Sequence, residues 1–229
     1  MQSRYTLVMD SSSSPLLLAL SGGEKCYVSR RKGIKQEQLL FPMLQRLTAK
    51  AHVNLTDIER LFIIRGPGRF TGIRIALTLA SMMQLLNKTE VYGATLFDVL
   101  YRQAQVSRTY QKWKSVHALG AIAVVLHAFR EEYFLQIFDG TNTAPQWLNR
   151  QELLAQLASY PNSLFLVGTD KEFSPLSELA GNKYALADYK DCRVQAHTLL
   201  SMAQEEIWKQ HALEPLYLKP ARFELVKPT

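Results

Sequence analysis

The chain has 229 residues, of which 47% are hydrophobic and 10% aromatic, so it can bury one large core or two small ones. This composition excludes intrinsic disorder as the main state. The net charge of +7 is compatible with RNA nearby, but the excess is spread along the chain and favours no class of partner by itself.

The first half begins with three short segments that predict a β-meander. Apolar runs cover Tyr5–Met9 and Leu16–Leu20, and Gly22-Gly23 is the turn into a third strand over Lys25–Arg30. The densest basic cluster of the chain follows, consisting of Arg30, Arg31, Lys32 and Lys35. We interpret this cluster as a solvated loop in preference to a phosphate-binding patch, because no aromatic stacking motif accompanies it.

Helical and extended patterns then alternate. A helix is predicted over Glu37–Ala51, with Pro42 in its first turn or at a kink. A buried strand over Leu61–Ile64 leads through a glycine-rich loop into a second helix over Ile73–Leu86. The strand Val91–Ala94 precedes a third helix, which Thr95 can cap and which runs to about Ala104.

Residues 105–117 are polar and basic, and we predict a domain boundary there. The second half resembles a reduced copy of the first, with strands followed by alternation. We predict strands over 119–126, 133–138 and 163–167, and helices over 151–159 and 197–209. The sequence therefore predicts an N-terminal α/β lobe over residues 1–107 and a smaller C-terminal α/β lobe over residues 108–229.

The two cysteines, Cys26 and Cys192, lie far apart in sequence, which excludes a disulfide framework and a CxxC redox or zinc motif. The start of the sequence shows no signal-peptide pattern, and the apolar stretches are too short to span a bilayer. We therefore expect a cytoplasmic protein with no membrane partner.

The loop Gly66–Gly72 is the most informative segment. A loop between a strand and a helix can hold an anion on its backbone amides. Its spacing does not fit a dinucleotide fingerprint or a Walker loop, and Pro67 has no amide to donate. From physics alone we favour a tight connection that needs glycine torsions, with Thr71 as the helix cap.

The segment from Gly66 to Ile75 reads GPGRFTGIRI and is similar to the GPGSFTGLRI signature of the TsaB (YeaZ) family. Further similar segments are Leu7–Ser12, Leu40–Leu44, Arg130–Phe134 and Pro215–Leu218, which together span most of the chain. The chain departs from the family pattern at Gln36, where His is usual, and at Ser81-Met82, where Lys-Gly is usual. It also carries His127 near a usual Asp.

The resemblance implies a two-lobed actin/Hsp70/sugar-kinase-like (ribonuclease H-like) fold with mixed sheets and a reduced second lobe. It implies a partner subunit in the complex that installs threonylcarbamoyl on the adenosine next to the tRNA anticodon. In that family TsaD carries the metal and the transfer chemistry, and TsaE is an ATPase. We therefore expect a TsaD-like and a TsaE-like partner, tRNA bound through the complex, and ATP and metal on the partner subunits.

The residues themselves also favour a non-catalytic chain. An ATPase of this fold needs acidic residues and glycine-rich phosphate turns in both lobes. Here four serines follow Asp10, and the corresponding turn at His127-Ala128 has neither an acid nor a glycine. The five histidines show no ligand spacing, so neither a metal site nor a metalloprotease is predicted.

Apolar residues surround most of the helix Ile73–Leu86, although a surface helix needs only one apolar stripe. The pattern fits either a central buried helix or one that buries a second face against a partner. The resemblance favours the second, because TsaB pairs with TsaD through its first two helices. Our candidate partner-binding residues are Leu40, Met43, Leu44, Leu47, Ile75, Leu79, Met82, Met83 and Leu86.

The candidates for a position near a nucleotide or tRNA are Gly66, Gly68, Arg69, Thr71, Gly72 and Arg74. A homodimer of the isolated chain through the same helices is a further expectation, because exposed apolar patches tend to be covered. The alternatives are a stand-alone ATPase or small-molecule kinase of the same fold, which turnover of ATP would reveal, and a general RNA-binding module.

Overall fold

The computed structural model describes residues 5–23, 25–33, 35–141, 143–168 and 183–219. The chain forms two compact units. Unit 1 comprises Met1–Val99 and Val194–Leu216, and unit 2 comprises Leu100–Arg193 and Tyr217–Thr229. Within the described ranges, no helix is long and apolar enough to cross a membrane.

Unit 1 is built on a mixed five-stranded sheet. Its strands are β1 (Tyr5–Asp10), β2 (Leu16–Gly22), β3 (Lys25–Arg31), β4 (Ile58–Ile64) and β5 (Glu90–Ala94). The order across the sheet is β3-β2-β1-β4-β5. The first three strands pair antiparallel as a meander, whereas β4 and β5 join in parallel, which requires the helical crossovers that the sequence supplies.

Two helices cover one face of this sheet. Helix α1 (Gln36–Ala51) follows β3, and helix α2 (Phe70–Asn87) connects β4 to β5. Their inward side chains, such as Leu44 and Met83, pack with Leu7 and Ile63 of the central strands in one apolar cluster. Both helices end at a residue in the left-handed conformation, His52 with φ of 57° and Lys88 with φ of 59°.

Helix α3 (Leu96–Gln105) follows β5 and crosses the division between the units. Thr95 caps it as predicted, because its Oγ1 accepts a hydrogen bond from the Asp98 amide at 3.0 Å. The chain returns to unit 1 at Val194 and forms α6 (Ala196–Met202), which is followed by a short 3₁₀ helix over Glu206–Lys209. A second short 3₁₀ helix over Leu55–Asp57 precedes β4.

Unit 2 repeats this plan with less helix. Its strands are β6 (Ala121–Phe129), β7 (Glu132–Phe138), β8 (Gln146–Asn149), β9 (Leu164–Gly168) and β10 (Tyr184–Leu186), and its helices include α4 (Arg108–Val116) and α5 (Arg150–Ser159). The order across the sheet is β10-β9-β6-β7-β8. Strands β6, β7 and β8 form an antiparallel meander, and β9 and β10 pair in parallel.

Read from its meander edge, each sheet has the same order and the same mixture of directions. The fold class predicted from the sequence, a two-lobed α/β protein with mixed sheets, is confirmed. The two units differ at the parallel edge, where β10 has only three residues, compared with five in β5.

Several details differ from the sequence-based expectations. The first division between the units lies between Val99 and Leu100, not at the predicted residues 107 and 108, and residues 194–216 belong to unit 1. The predicted helix 197–209 ends at Met202 and resumes only as a 3₁₀ turn. Pro42 lies inside α1 beyond its first turn, and Arg69 replaces Thr71 as the residue that precedes α2.

Candidate functional site

The loop Gly66–Gly72 connects β4 to α2 and is anchored at its first glycine. Gly66 has a φ of 125°, a backbone conformation that side chains rarely adopt. A Cβ there would lie 2.5 Å from the carbonyl oxygen of Leu216. The Gly66 carbonyl accepts a hydrogen bond from the Leu96 amide at 2.7 Å. This glycine is therefore required by close backbone packing, as the tight-connection interpretation predicts.

The second half of the loop packs against the turn that follows β1. The Arg69 amide donates to the Ser12 carbonyl at 2.8 Å, and the Ser11 hydroxyl donates to the Gly72 carbonyl at 2.8 Å. A Cβ on Gly72 would lie 1.9 Å from the Ser11 carbonyl oxygen. The Ser11 backbone therefore occupies the space next to the start of α2, and the loop positions that helix against the sheet.

Asp10 is buried at the end of β1, and its carboxylate accepts hydrogen bonds from the turn that follows the strand. Its carboxylate accepts hydrogen bonds from the amides and hydroxyls of Ser12 and Ser13. Burial raises the pKa of Asp10, and these hydrogen bonds counteract that effect. Four donors match the roughly four lone-pair sites of a carboxylate. The residues present therefore do not fit a Mg²⁺–phosphate site in which Asp10 would serve as a ligand.

Gln36 connects the same turn to α1. It is buried, and its Nε2 donates to the Ser13 carbonyl at 2.6 Å. Its Oε1 is a buried acceptor without a hydrogen bond, and it would lie 2.9 Å from a Cβ on Gly72. The turn after β1 thus contacts the starts of both helices, and this shared support fixes α1 and α2 next to each other.

A groove of about 360 Å³ lies between α1 and α2 on the outer side of unit 1. Its lining includes Phe41 and Glu37 of α1 and Phe70, Arg74 and Met82 of α2. The exposed large apolar side chains of these two helices are Phe41, Phe70, Met82, Leu85 and Leu86. Leu86 is 71% exposed, so the apolar surface continues along α2 beyond the groove. We call these five side chains the apolar face.

This burial corrects the residues predicted to bind a partner. Leu40, Met43, Leu44, Leu47, Leu79 and Met83 are buried in the core of unit 1, and Ile75 is half-buried against it. Only Met82 and Leu86 of the predicted set are exposed. The apolar stripe of α1 faces the sheet, so the side chains available to a partner include Phe41, Phe70 and Leu85, which sequence reasoning missed.

The residues predicted to lie near a nucleotide or tRNA divide into two groups. Gly66 and Gly72 are buried by backbone packing, whereas Gly68, Arg69, Thr71 and Arg74 are exposed at the start of α2. The guanidinium of Arg74 stacks on the Phe70 ring, 3.8 Å from its centroid. This pair lines one end of the groove and presents a cation and an aromatic ring together.

Two further positions that depart from the family pattern are Ser81 and His127. Ser81 is exposed on α2 beside Met82. His127 lies in unit 2, where its Nε2 is 2.7 Å from the Arg130 carbonyl in the turn between β6 and β7. Across the ranges that the structure describes, no group of three or more His, Cys, Asp or Glu side chains is arranged to hold a metal ion.

Known proteins resemble this chain in sequence and in structure. The family model described as TsaD, tRNA N6-adenosine threonylcarbamoyltransferase, matches residues 30–112. The tRNA threonylcarbamoyladenosine biosynthesis protein TsaB of Haemophilus influenzae is 23% identical over 96% of this chain and 93% of its own length. The solved structure of YeaZ from Pseudomonas aeruginosa is 20% identical, with a TM-score of 0.68 over 94% of this chain and 100% of its own.

The resemblance to the TsaB (YeaZ) family is confirmed. A second TsaB, from Buchnera aphidicola of Schizaphis graminum, is 29% identical over 43% of this chain, and the match spans about half of that protein, at 47%. The likeness to the YeaZ structure supports the fold of this chain, which contains two mixed sheets. The segment matched by the TsaD model contains α1, the Gly66–Gly72 loop and α2, and therefore every element that builds the groove.

Proposed function

We propose that this chain is a non-catalytic partner subunit in the biosynthesis of threonylcarbamoyladenosine next to the tRNA anticodon. In this proposal the apolar face of α1 and α2 docks a TsaD-like catalytic subunit. The observation that carries it is the exposure of Phe41, Phe70 and Met82 around one groove, continued along α2 by Leu85 and Leu86. Apolar patches of this kind mark protein–protein contacts on soluble proteins.

The composition of the face fits the centre of an interface. Aromatic residues, Met and Arg are enriched in such centres, and Phe41, Phe70, Met82 and Arg74 supply all three types. A methionine adapts to an irregular partner surface better than a branched side chain does. Two packed helices also hold these side chains rigidly, so docking costs little conformational entropy. A second copy of the chain can cover the same face when the partner is absent.

The turn after β1 supports a non-catalytic role. In the proposal, ATP and metal belong to the partner subunits, and a TsaE-like ATPase completes the complex. Asp10 has its lone pairs engaged by Ser12 and Ser13, and Gly72 lies against the Ser11 backbone. The exposed Arg69 and Arg74 at the start of α2 then serve to orient a nucleotide or tRNA that the partner holds.

The test is capture of the TsaD homologue of the same organism by tagged wild-type chain, compared with Leu86→Asp and Leu119→Asp. Leu86 and Leu119 are 71% and 78% exposed, and Leu119 lies in unit 2, so the two variants form a matched pair. An unpaired buried carboxylate weakens an interface by roughly 2 kcal/mol or more, about thirtyfold in Kd. We expect capture to fall for Leu86→Asp and to stay at the wild-type level for Leu119→Asp.

Equal capture by both variants would place the partner elsewhere on the chain. A wild-type chain that fails to capture TsaD, with and without ATP and TsaE, would refute the proposed function. The alternative of a stand-alone ATPase or kinase is tested in the same preparations, since the proposal predicts no ATP turnover by the isolated chain.

A further inference from the structure

Basic side chains gather on one flank of unit 1. Between Lys25 and Lys50 the sequence has seven basic residues and a single acidic one, Glu37. All seven are exposed, and within the described residues six of them form no hydrogen bond to another part of the chain's backbone, namely Lys25, Arg31, Lys32, Lys35, Arg46 and Lys50. We call these six the basic face. The seventh, Arg30, has a structural role, because its guanidinium donates to the Val194 carbonyl at 2.9 Å.

The contacts of β3 fix which way its side chains point. Arg30 reaches Val194 at the start of α6, whereas Tyr27 packs against the apolar cluster under α1. Because side chains alternate along a strand, Lys25 and Arg31 lie on the same side as Tyr27, next to α1. They are six residues apart, roughly 20 Å at about 3.3 Å per residue.

The contacts of α1 place its basic residues on the flank next to β3. The Lys50 ammonium lies 5.9 Å from the centroid of the Tyr27 ring. Arg46 precedes Lys50 by one helical turn and shares its row. Phe41 and Glu37 line the groove on the α2 side instead. Phe41 and Arg46 are separated by roughly 140° around the helix at about 100° per residue.

The basic face is therefore continuous, and Glu37, the one acid within residues 25–50, lines the groove instead. Chain direction reverses between β3 and α1, so Arg31, Lys32 and Lys35 lie at one end and Lys25 and Lys50 at the other. Among the residues that the structure describes, none of these six side chains forms an ion pair with a carboxylate. Their charges are available to an external polyanion.

In contrast to the solvated-loop interpretation of Arg30–Lys35 from the sequence, we infer that the basic face binds the phosphate backbone of RNA, and that through it this subunit contacts tRNA directly. The identification of the RNA as tRNA rests on the proposed function. Six cations over about 20 Å suit a chain of phosphates better than one isolated anion, because no single ligand of nucleotide size reaches both ends. The apolar face lies on the opposite flank of α1, so a docked partner leaves the basic face open.

Salt dependence gives this inference a quantitative test. Each phosphate contact contributes about −0.7 to −0.9 to the slope of log K against log salt concentration. Removing two contacts makes the slope shallower by about 1.4 to 1.8 and lowers the affinity at about 0.1 M salt by at least roughly tenfold. Because phosphates carry no sequence information, the loss is expected to be uniform across RNA sequences.

The experiment measures fluorescence anisotropy of labelled tRNA with the full chain, alone and with its captured partner, over a range of salt concentrations. The variant is Arg46→Gln/Lys50→Gln, which keeps good helix formers in place. The matched control is Arg108→Gln/Lys112→Gln, an exposed pair with the same spacing on α4 of unit 2. We expect the shallower slope and weaker binding for the first pair, and wild-type values for the second.

Unchanged tRNA affinity and slope in Arg46→Gln/Lys50→Gln would overturn the inference. Capture of the TsaD homologue by this variant tests the proposed function separately, because that function predicts wild-type capture with or without a change in RNA binding. If light scattering rises while RNA binding is unchanged, the charges protect the edge strand β3 from association, and the inference also fails. Binding to phosphatidylglycerol vesicles but not to tRNA would overturn it as well.

Discussion

Replacing Gly72 with alanine tests how the structure positions α2, because two physical effects oppose each other there. Gly72 is the third residue of the helix, where alanine is intrinsically favoured by about 1 kcal/mol. The structure predicts instead that alanine at this position lowers the free energy of unfolding. A Cβ would lie 1.9 Å from the Ser11 carbonyl oxygen and 2.9 Å from Gln36 Oε1, so the backbone must move.

The expected size follows from the contacts that the movement disturbs. Overpacking costs about 1–3 kcal/mol, and a collision with backbone belongs at the upper end of that range. Separating α2 from the turn after β1 also breaks the hydrogen bond from the Ser11 hydroxyl to the Gly72 carbonyl, worth about 1 kcal/mol. After subtraction of the helix propensity, the net loss of unfolding free energy is about 3 kcal/mol, or roughly 6–12 °C in Tm for a chain of this size.

Thermal unfolding followed by circular dichroism measures this loss, with two comparison variants. Thr78→Ala changes an exposed residue of the same helix, so its Tm is expected to stay level or to rise slightly. Gly23→Ala has nothing within 4 Å of the new Cβ but keeps a φ of 59°, so it should lose only about 1 kcal/mol. A Tm of Gly72→Ala equal to or above the wild-type value would refute the packing argument.

Two further predictions concern a cap and an ion pair. Thr95→Ala removes the hydroxyl that accepts a hydrogen bond from the Asp98 amide, so the free energy of unfolding measured with urea should fall by about 1 kcal/mol. An unchanged free energy would show that this cap does not stabilise the protein. Hydrogen bonding to Lys209 lowers the pKa of Glu90, so this pair stabilises the fold above pH 4.5 and loses its effect as pH falls through the lowered pKa. Glu90→Gln should therefore lower the urea midpoint at pH 7 but not near pH 3, and a difference of equal size at both values would contradict the linkage.

The central strands of the sheets were predictable because they are apolar runs with polar ends. The central strands β1, β4 and β6 are buried on both faces, and each was located to within a few residues. Among the strands that the structure describes, the sequence did not predict β8 and β10, which are short and lie at the edges of the second sheet. Their side chains are half-buried or exposed, so they lack the apolar pattern on which the prediction depends.

The glycine-rich loop was interpreted correctly at the level of backbone geometry. Its glycines pointed to a tight connection, and the structure shows carbonyls of Leu216, Ser12 and Ser11 against Gly66, Gly68 and Gly72. Those carbonyls come from segments up to 150 residues away in sequence, from Gly66 to Leu216. No local pattern identifies such a partner, so the need for glycine was predictable and its cause was not.

The membership of the apolar face was less predictable, because periodicity locates an apolar stripe but does not say what covers it. On α1 the stripe of Leu40, Leu44 and Leu47 covers the sheet, and Phe41 alone remains outside as a large exposed apolar side chain. On α2 the inner side takes Leu79 and Met83, so the additional apolar residues, Met82 and Leu86, form the outer side. The apolar residues of α2 that exceed one stripe therefore predicted an exposed apolar side of this helix. They did not identify every residue on that side.

Helix α1 presents three different sides, and this arrangement separates the two proposed contacts. Leu44 and its row face the sheet, Phe41 faces the groove, and Arg46 and Lys50 face the flank over β3. The two outer rows are roughly 140° apart and share no side chain, so a substitution in one leaves the chemistry of the other intact. A subunit that must hold a protein partner and a nucleic acid at once needs this separation, because an apolar contact excludes water while phosphate contacts keep it. Loss of partner capture in Leu86→Asp and loss of RNA affinity in Arg46→Gln/Lys50→Gln are therefore expected to be independent of each other.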